Sequence, residues 1–148
     1  MKTSNSIEIN RPIHIVAELL ENHDSYFKWD KNLDSYETFI GDPCQVGSKT
    51  RYIFKIGKKK KHTIEAVETI IYRNFPQENN LMYEIMGLQI MQKNFFEERG
   101  DSWTQWILEQ ECKLKGIARL FSGIFPYVIR KQTQKTMSRF KEFAEKNE

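Results

Sequence analysis

Two carboxylates three residues apart, Glu65 and Glu68, lie in the β-branched run from His62 to Tyr72. Side chains on a strand alternate between faces, so residues three apart point to opposite sides and only one of this pair can point inward. If Ile64, Ala66, Ile70 and Tyr72 face the interior, Glu68 does too. Burial would then raise its pKa and equip it to give or take a proton. If Val67, Thr69 and Ile71 face inward instead, Glu68 is solvated. The other reactive side chains are scattered. His14, His23 and His62 stand in three different segments, and no Gly-x-Ser-x-Gly elbow supplies a nucleophile. Cys44 and Cys112 form no Cys-x-x-Cys pair and have no histidine at ligand spacing. There is no His-Glu-x-x-His, no histidine pair at i, i+4 and no acidic cluster of calcium type. These absences assign no catalytic residue, no metal and no cofactor, and the sequence leans away from an enzyme.

Composition directs attention to rings. Of 148 residues, 13% are aromatic: 10 Phe, 6 Tyr and 3 Trp. Such rings either fill a core by close packing or line a pocket, which is apolar with a few placed polar groups. Net charge is +3, too little to imply nucleic acid. The excess is local. Residues 119–148 carry 7 basic and 3 acidic side chains, and Lys58 to Lys61 form a run that belongs in water at a hairpin tip. A protein or ribosome surface is the partner that such a tip and a basic helix would meet. No segment approaches the ~20 apolar residues needed to span a bilayer. Residues 1–12 hold no apolar run of signal-peptide type, so a cytoplasmic protein with reduced thiols is expected.

The elements that must position these groups follow from periodicity. Ser6–Asn10 alternates as a half-buried strand. Asn10 can cap a helix whose first turn holds Pro12 and whose apolar residues are Ile13, Val16, Leu19 and Leu20, ending near Glu21. A second short helix starts at His23. Strands are expected at 36–40, 50–56, 62–72, 81–86, 90–98 and 102–114, separated by Gly, Pro and Asn punctuation. On the last of these, Thr104, Trp106, Leu108, Gln110 and Cys112 share one side, and the more polar alternate set lies outside. From Ile117 to about Lys146 a single helix of about 28 residues, roughly 42 Å long, is expected, with Pro126 able to kink it. One strand, two short helices, about six antiparallel strands and a long helix make one α+β domain over residues 1–148. The curved sheet must bury its concave face, and only the last helix is large enough to cover it.

Five segments carry a family resemblance over about residues 4–146. They are IEINRPIHIVAELLEN; SYFKWDKNL; GDPCQVGSKTRYIFKIGKK; IEAVETI with NFPQENNLMYEI and Gly87; and WTQWILEQECKLKGIARLF through FKEFAEK. Together they resemble the SRPBCC superfamily, the START-like or birch-pollen-allergen-like domains. Within it the chain looks like the small bacterial members labelled polyketide cyclase/dehydratase-like. The resemblance implies a helix-grip fold, with about seven antiparallel strands wrapped around the C-terminal helix. It also implies a cavity between them that takes a small hydrophobic molecule such as a lipid, quinone or polyketide. No segment is a catalytic motif, so the resemblance is specific for architecture and weak for chemistry. A cyclase or dehydratase-type enzyme and a protein interaction module stand as alternatives.

The expected ligand-binding residues are Tyr36, Tyr52, Phe54, Glu68, Trp106, Leu108, Phe121, Phe125, Val128 and Gln132. Tyr52 and Gln132 each break an otherwise apolar inner stripe, which makes them the candidates for polar contacts.

Overall fold

A computed structural model describes residues 2–113 and 125–146. The seven strands are β1 (Lys2–Ile9), β2 (Leu33–Ile40), β3 (Lys49–Ile56), β4 (His62–Asn74), β5 (Glu78–Ile85), β6 (Leu88–Arg99) and β7 (Trp103–Lys113). Two short helices, α1 (Ile13–Glu21) and α2 (His23–Trp29), follow β1, and α3 (Phe125–Lys146) closes the chain. The strands form one antiparallel sheet in the order β1-β7-β6-β5-β4-β3-β2. Consecutive strands pair as a meander from β2 to β7, and β1 closes the far edge against β7. The expected start of the last helix at Ile117 falls on 114–124, outside the described residues.

The alternation expected on β7 holds: Thr104, Trp106, Leu108, Gln110 and Cys112 are buried, while Trp103, Glu109, Glu111 and Lys113 are exposed. β4 departs from simple alternation. Ala66, Glu68 and Ile70 are buried on the inner face, as one of the two alternatives required, but Tyr72 is 46% exposed rather than inward. The reason is an irregularity between the pairs Ile70↔Leu81 and Tyr72↔Asn80, where β4 carries an extra residue, Ile71. An extra residue in one strand breaks the two-residue period, and the side chains beyond it turn to the other face.

Helix α1 also starts differently from its expected cap. Pro12 occupies the N-cap position, and Asn10 does not cap; its backbone N–H instead donates to Glu145 Oε2 at 2.8 Å. This bond belongs to a series that lays α3 along β1. Asn5 Nδ2 donates to the Arg130 carbonyl at 3.0 Å and to Gln134 Oε1 at 2.9 Å, and Lys141 Nζ donates to the Glu8 carbonyl at 2.7 Å. Helix α2 is capped by Asn22, whose Oδ1 accepts from the N–H groups of Asp24 and Ser25.

Two apolar clusters occupy the inner side. One joins Ile9, Ile13, Val16, Phe96, Trp106, Leu108, Met137, Phe140 and Ala144. The other joins Leu33, Tyr52 and Ala66, with Tyr26, Tyr36, Phe54 and Ile85 against them. The lysine run sits at the β3–β4 turn as one 3₁₀ turn over Lys58–Lys60, exposed, with Lys60 Nζ donating to the Lys31 carbonyl at 2.8 Å. That turn depends on Gly57, whose φ of 85° and ψ of −179° suit glycine alone. A Cβ there would also meet His62 Cδ2 at 2.8 Å. Gly57→Ala is expected to lower stability by about 2 kcal/mol, read by urea denaturation, from the strained backbone and this clash. An unchanged denaturation midpoint would mean that the turn rearranges freely.

Candidate functional site

A cavity of about 440 Å³ lies between the inner face of the sheet, helix α2 and helix α3. Its walls come from both clusters. Tyr26 and Trp29 project from α2, one helical turn apart, and their rings stack at 4.5 Å with planes 3° apart. Tyr52 and Phe54 come from alternate positions of β3, with Tyr26 5.5 Å from the Tyr52 ring and 6.1 Å from the Phe54 ring. Trp106 and Phe96 form the wall on β7 and β6, stacked at 6.1 Å. Ile129, Gln132, Thr133, Thr136 and Met137 of α3 close the opposite side.

Glu68 is the polar centre of the β4 wall. It is 8% exposed and lines the cavity. The antiparallel register sets Glu68 opposite Tyr83 of β5, and the Tyr83 hydroxyl donates to Glu68 Oε2 at 2.5 Å. Burial pushes the Glu68 carboxyl up to about 7, and the Tyr83 hydrogen bond, with the Tyr52 phenol, opposes that rise. The phenols respond in the same sense. Burial, and then the nearby Glu68 charge, push Tyr83 and Tyr52 well above the ordinary phenol range, so both remain donors at any physiological pH. Tyr26 is raised by burial first and by Asp30 next.

Two further polar groups border this region. His23 has its pKa lowered by burial, and it packs edge-on against Tyr52 at 5.9 Å. The Cys44 thiol is raised by burial and donates to the Glu21 carbonyl at 3.6 Å, which describes an unreactive thiol. Glu21 itself is held by Arg73, whose guanidinium donates to both carboxylate oxygens at 2.8 and 3.0 Å. That forked pair ties the end of α1 to the end of β4.

On the β5–β7 side the polar groups form a chain of amides. Trp106 Nε1 donates to Asn94 Oδ1 at 2.9 Å, and Asn94 Nδ2 donates to the Asn79 carbonyl at 3.1 Å. Gln92 Nε2 donates to Gln110 Oε1 at 3.0 Å, and Gln110 Nε2 donates to Thr133 Oγ1 of α3 at 2.7 Å. Among the described residues, two buried polar atoms of cavity-lining side chains have no hydrogen-bond partner: Trp29 Nε1 and Asn79 Oδ1.

No protein-family model matches the chain, and no curated protein matches it in sequence. Solved structures do match. Ara h 8.0201 superimposes with a TM-score of 0.79 at 13% identity, over 99% of each chain. SA2116 from Staphylococcus aureus gives 0.78 at 11% identity, over 99% of this chain and 95% of its own. A START superfamily protein from Mycobacterium smegmatis gives 0.68 at 12% identity, over 97% and 94%. The chain has the helix-grip fold. It is the fold of Bet v 1-like and START-like proteins, as the five sequence segments implied. At these identities the likeness is one of fold alone. Among the described residues, no helix is long and apolar enough to cross a membrane.

The helix-grip frame brings together Tyr52, Phe54, Glu68, Trp106, Leu108 and Gln132 on the cavity wall. It leaves Tyr36 and Val128 outside. Tyr36 stands on the edge strand β2, where its hydroxyl donates to Asp24 Oδ1 at 2.6 Å and its ring packs on His23 and Phe27. Val128 is 54% exposed, on the side of α3 turned to solvent. Farther along α3, Met137, Phe140 and Ala144 are fully buried. Phe121 and the side chain of Phe125 lie outside the described residues. Tyr26, Trp29, Tyr83 and Asn94 are among the wall residues outside the expected set. Tyr83 was within reach, because Leu81, Tyr83 and Ile85 alternate on one face of a strand; its meeting with Glu68 depends on register, which alternation alone does not reveal.

Proposed function

We propose that this chain binds a small apolar or aromatic molecule, of lipid, quinone or polyketide size, in the cavity between the sheet and α3. One observation carries the reading. A cavity of about 440 Å³ has a largely apolar, aromatic wall into which a buried carboxylate, Glu68, is set beside Tyr83 and Tyr52, and such an apolar wall with placed polar groups is that of a ligand pocket. Apolar burial supplies the affinity, at ~25 cal/mol per Å² before the costs of ordering. Glu68 and the two phenols orient whatever polar atom the ligand carries. Gln132 offers an amide from the α3 side. The whole chain acts as one domain in this reading. Its compartment is the cytoplasm, where the two free thiols, Cys44 and Cys112, stay reduced.

The experiment is native mass spectrometry of protein purified from its source cells, beside an Ala66→Phe variant. Ala66 is 2% exposed, lines the cavity, and lies between Tyr52 and Ile85 in the sheet, so a phenyl ring there occupies ligand space. The expected result is a copurifying small molecule on the wild type that the variant loses while staying folded. Repeated recovery of empty protein, with no thermal stabilisation by a panel of lipids and quinones, would overturn the proposal.

A further inference from the structure

The charges around the cavity are unbalanced. Among the described residues that line it, the ionisable carboxylates are Glu21, Asp30 and Glu68, and no lysine or arginine is present. Arg73 neutralises Glu21 through the forked pair. Nothing cationic in the wall does the same for Glu68, whose hydrogen bond comes from the neutral Tyr83 phenol, and His23 is held toward its neutral form by burial. A buried carboxylate without a counter-charge is costly, and a ligand that carries the missing charge recovers that cost. The rings beside it suit the same ligand. Tyr26, Trp29, Tyr52 and Phe54 form a continuous aromatic wall with centroids 4.5 to 6.3 Å apart. An organic cation is attracted to an aromatic face within about 6 Å of its centroid. Elsewhere on the wall, Asn79 Oδ1 is a buried acceptor with no partner among the described residues.

We infer that the cavity selects organic cations: a protonated amine or quaternary ammonium on an apolar ring body, with its charge seated between the Glu68 carboxylate and the rings of Tyr26 and Tyr52. This rests on the cavity being a ligand site, as proposed above, and adds the charge class of the ligand. Fatty acids and phosphate-headed lipids are disfavoured, because their anionic group would meet Glu68 and Asp30 with no cation among the described wall residues to receive it. The rise in the Glu68 pKa agrees with this, since burial holds a proton on the empty site that an arriving cation would displace.

Three probes of one shape test the inference by calorimetry on the full chain: 2-naphthylmethylamine, 2-naphthylmethanol and 2-naphthoate. The amine is expected to bind at least about tenfold tighter than the alcohol, and the naphthoate weakest. In Glu68→Gln the amine should lose at least about tenfold in affinity and the alcohol clearly less, with an unchanged circular-dichroism spectrum and a cooperative thermal melt reporting that the variant is folded. Tyr26→Leu should likewise weaken the amine more than the alcohol. Equal binding of the amine and the alcohol, or equal loss of both in Glu68→Gln, overturns the charge selection and leaves the cavity as a site for neutral ligands. Failure of all three probes to bind overturns both readings.

Discussion

Phe140→Ala is expected to lose about 4 kcal/mol of stability, the range for removing a fully buried aromatic side chain from a close-packed core. Phe140 is 0% exposed and sits on α3 between two indoles, edge-on to Trp106 at 5.6 Å and to Trp29 at 5.5 Å. These contacts join all three layers of the fold: the sheet through Trp106, α2 through Trp29, and α3 through Phe140 itself. Truncation therefore removes buried area, leaves a void that the rigid sheet cannot close, and breaks two edge-to-face pairs. Against a total stability of 5–15 kcal/mol, typically, the loss is a large fraction. Urea denaturation followed by tryptophan fluorescence measures it, and Tyr127→Ala, at a side chain 68% exposed on the same helix, is the control expected to change little. A loss for Phe140→Ala no larger than the control's would show that α3 is not held by this contact.

Glu68→Gln is expected to change how stability depends on pH. The folded carboxyl titrates near 7 against an ordinary value of 4.5. Folding thus favours its protonated form. In the wild type this group's contribution is fully present below pH 4.5, is lost as pH rises through 7, and stays lost above. A shift of that size corresponds to about 3 kcal/mol. Glutamine keeps the shape and does not titrate. The stability of the variant relative to wild type should therefore rise by about 3 kcal/mol between pH 4 and pH 8, whatever constant offset the altered bond to Tyr83 introduces. Paired denaturation curves across that range are the measurement. Parallel pH profiles would mean that Glu68 is hydrated or paired with a cation in the empty protein.

Most elements were legible because each rests on local pattern. The two-residue alternation of Thr104, Trp106, Leu108, Gln110 and Cys112 placed β7 and its inner face correctly, because a strand that buries one side must alternate. The apolar spacing of Ile13 and Val16 placed α1, and all three of its buried residues, Ile13, Val16 and Ala17, lie on one face. The residues that the structure places away from the cavity sit where local pattern says least. Tyr72 follows the irregularity in β4; Tyr36 shares the inner face with Tyr52 but stands on the edge strand with its hydroxyl on Asp24; Val128 is 54% exposed on α3.

By itself, then, the sequence determined the order of the elements, the inner face of β7 and the surplus of rings. Burial periodicity writes these into neighbouring residues. Tertiary structure alone decided what the rings do. Phe140 packs edge-on against Trp106 and Trp29, and those two indoles with Tyr26, Tyr52 and Phe54 border the cavity that Glu68 lines. It also decided which carboxylate turned inward and which phenols met it, since Glu68 and Tyr83 are 15 residues apart and only the pairing of β4 with β5 joins them. Register and the distance between sheet and helix depend on the whole fold, and the charge balance of the site follows from them.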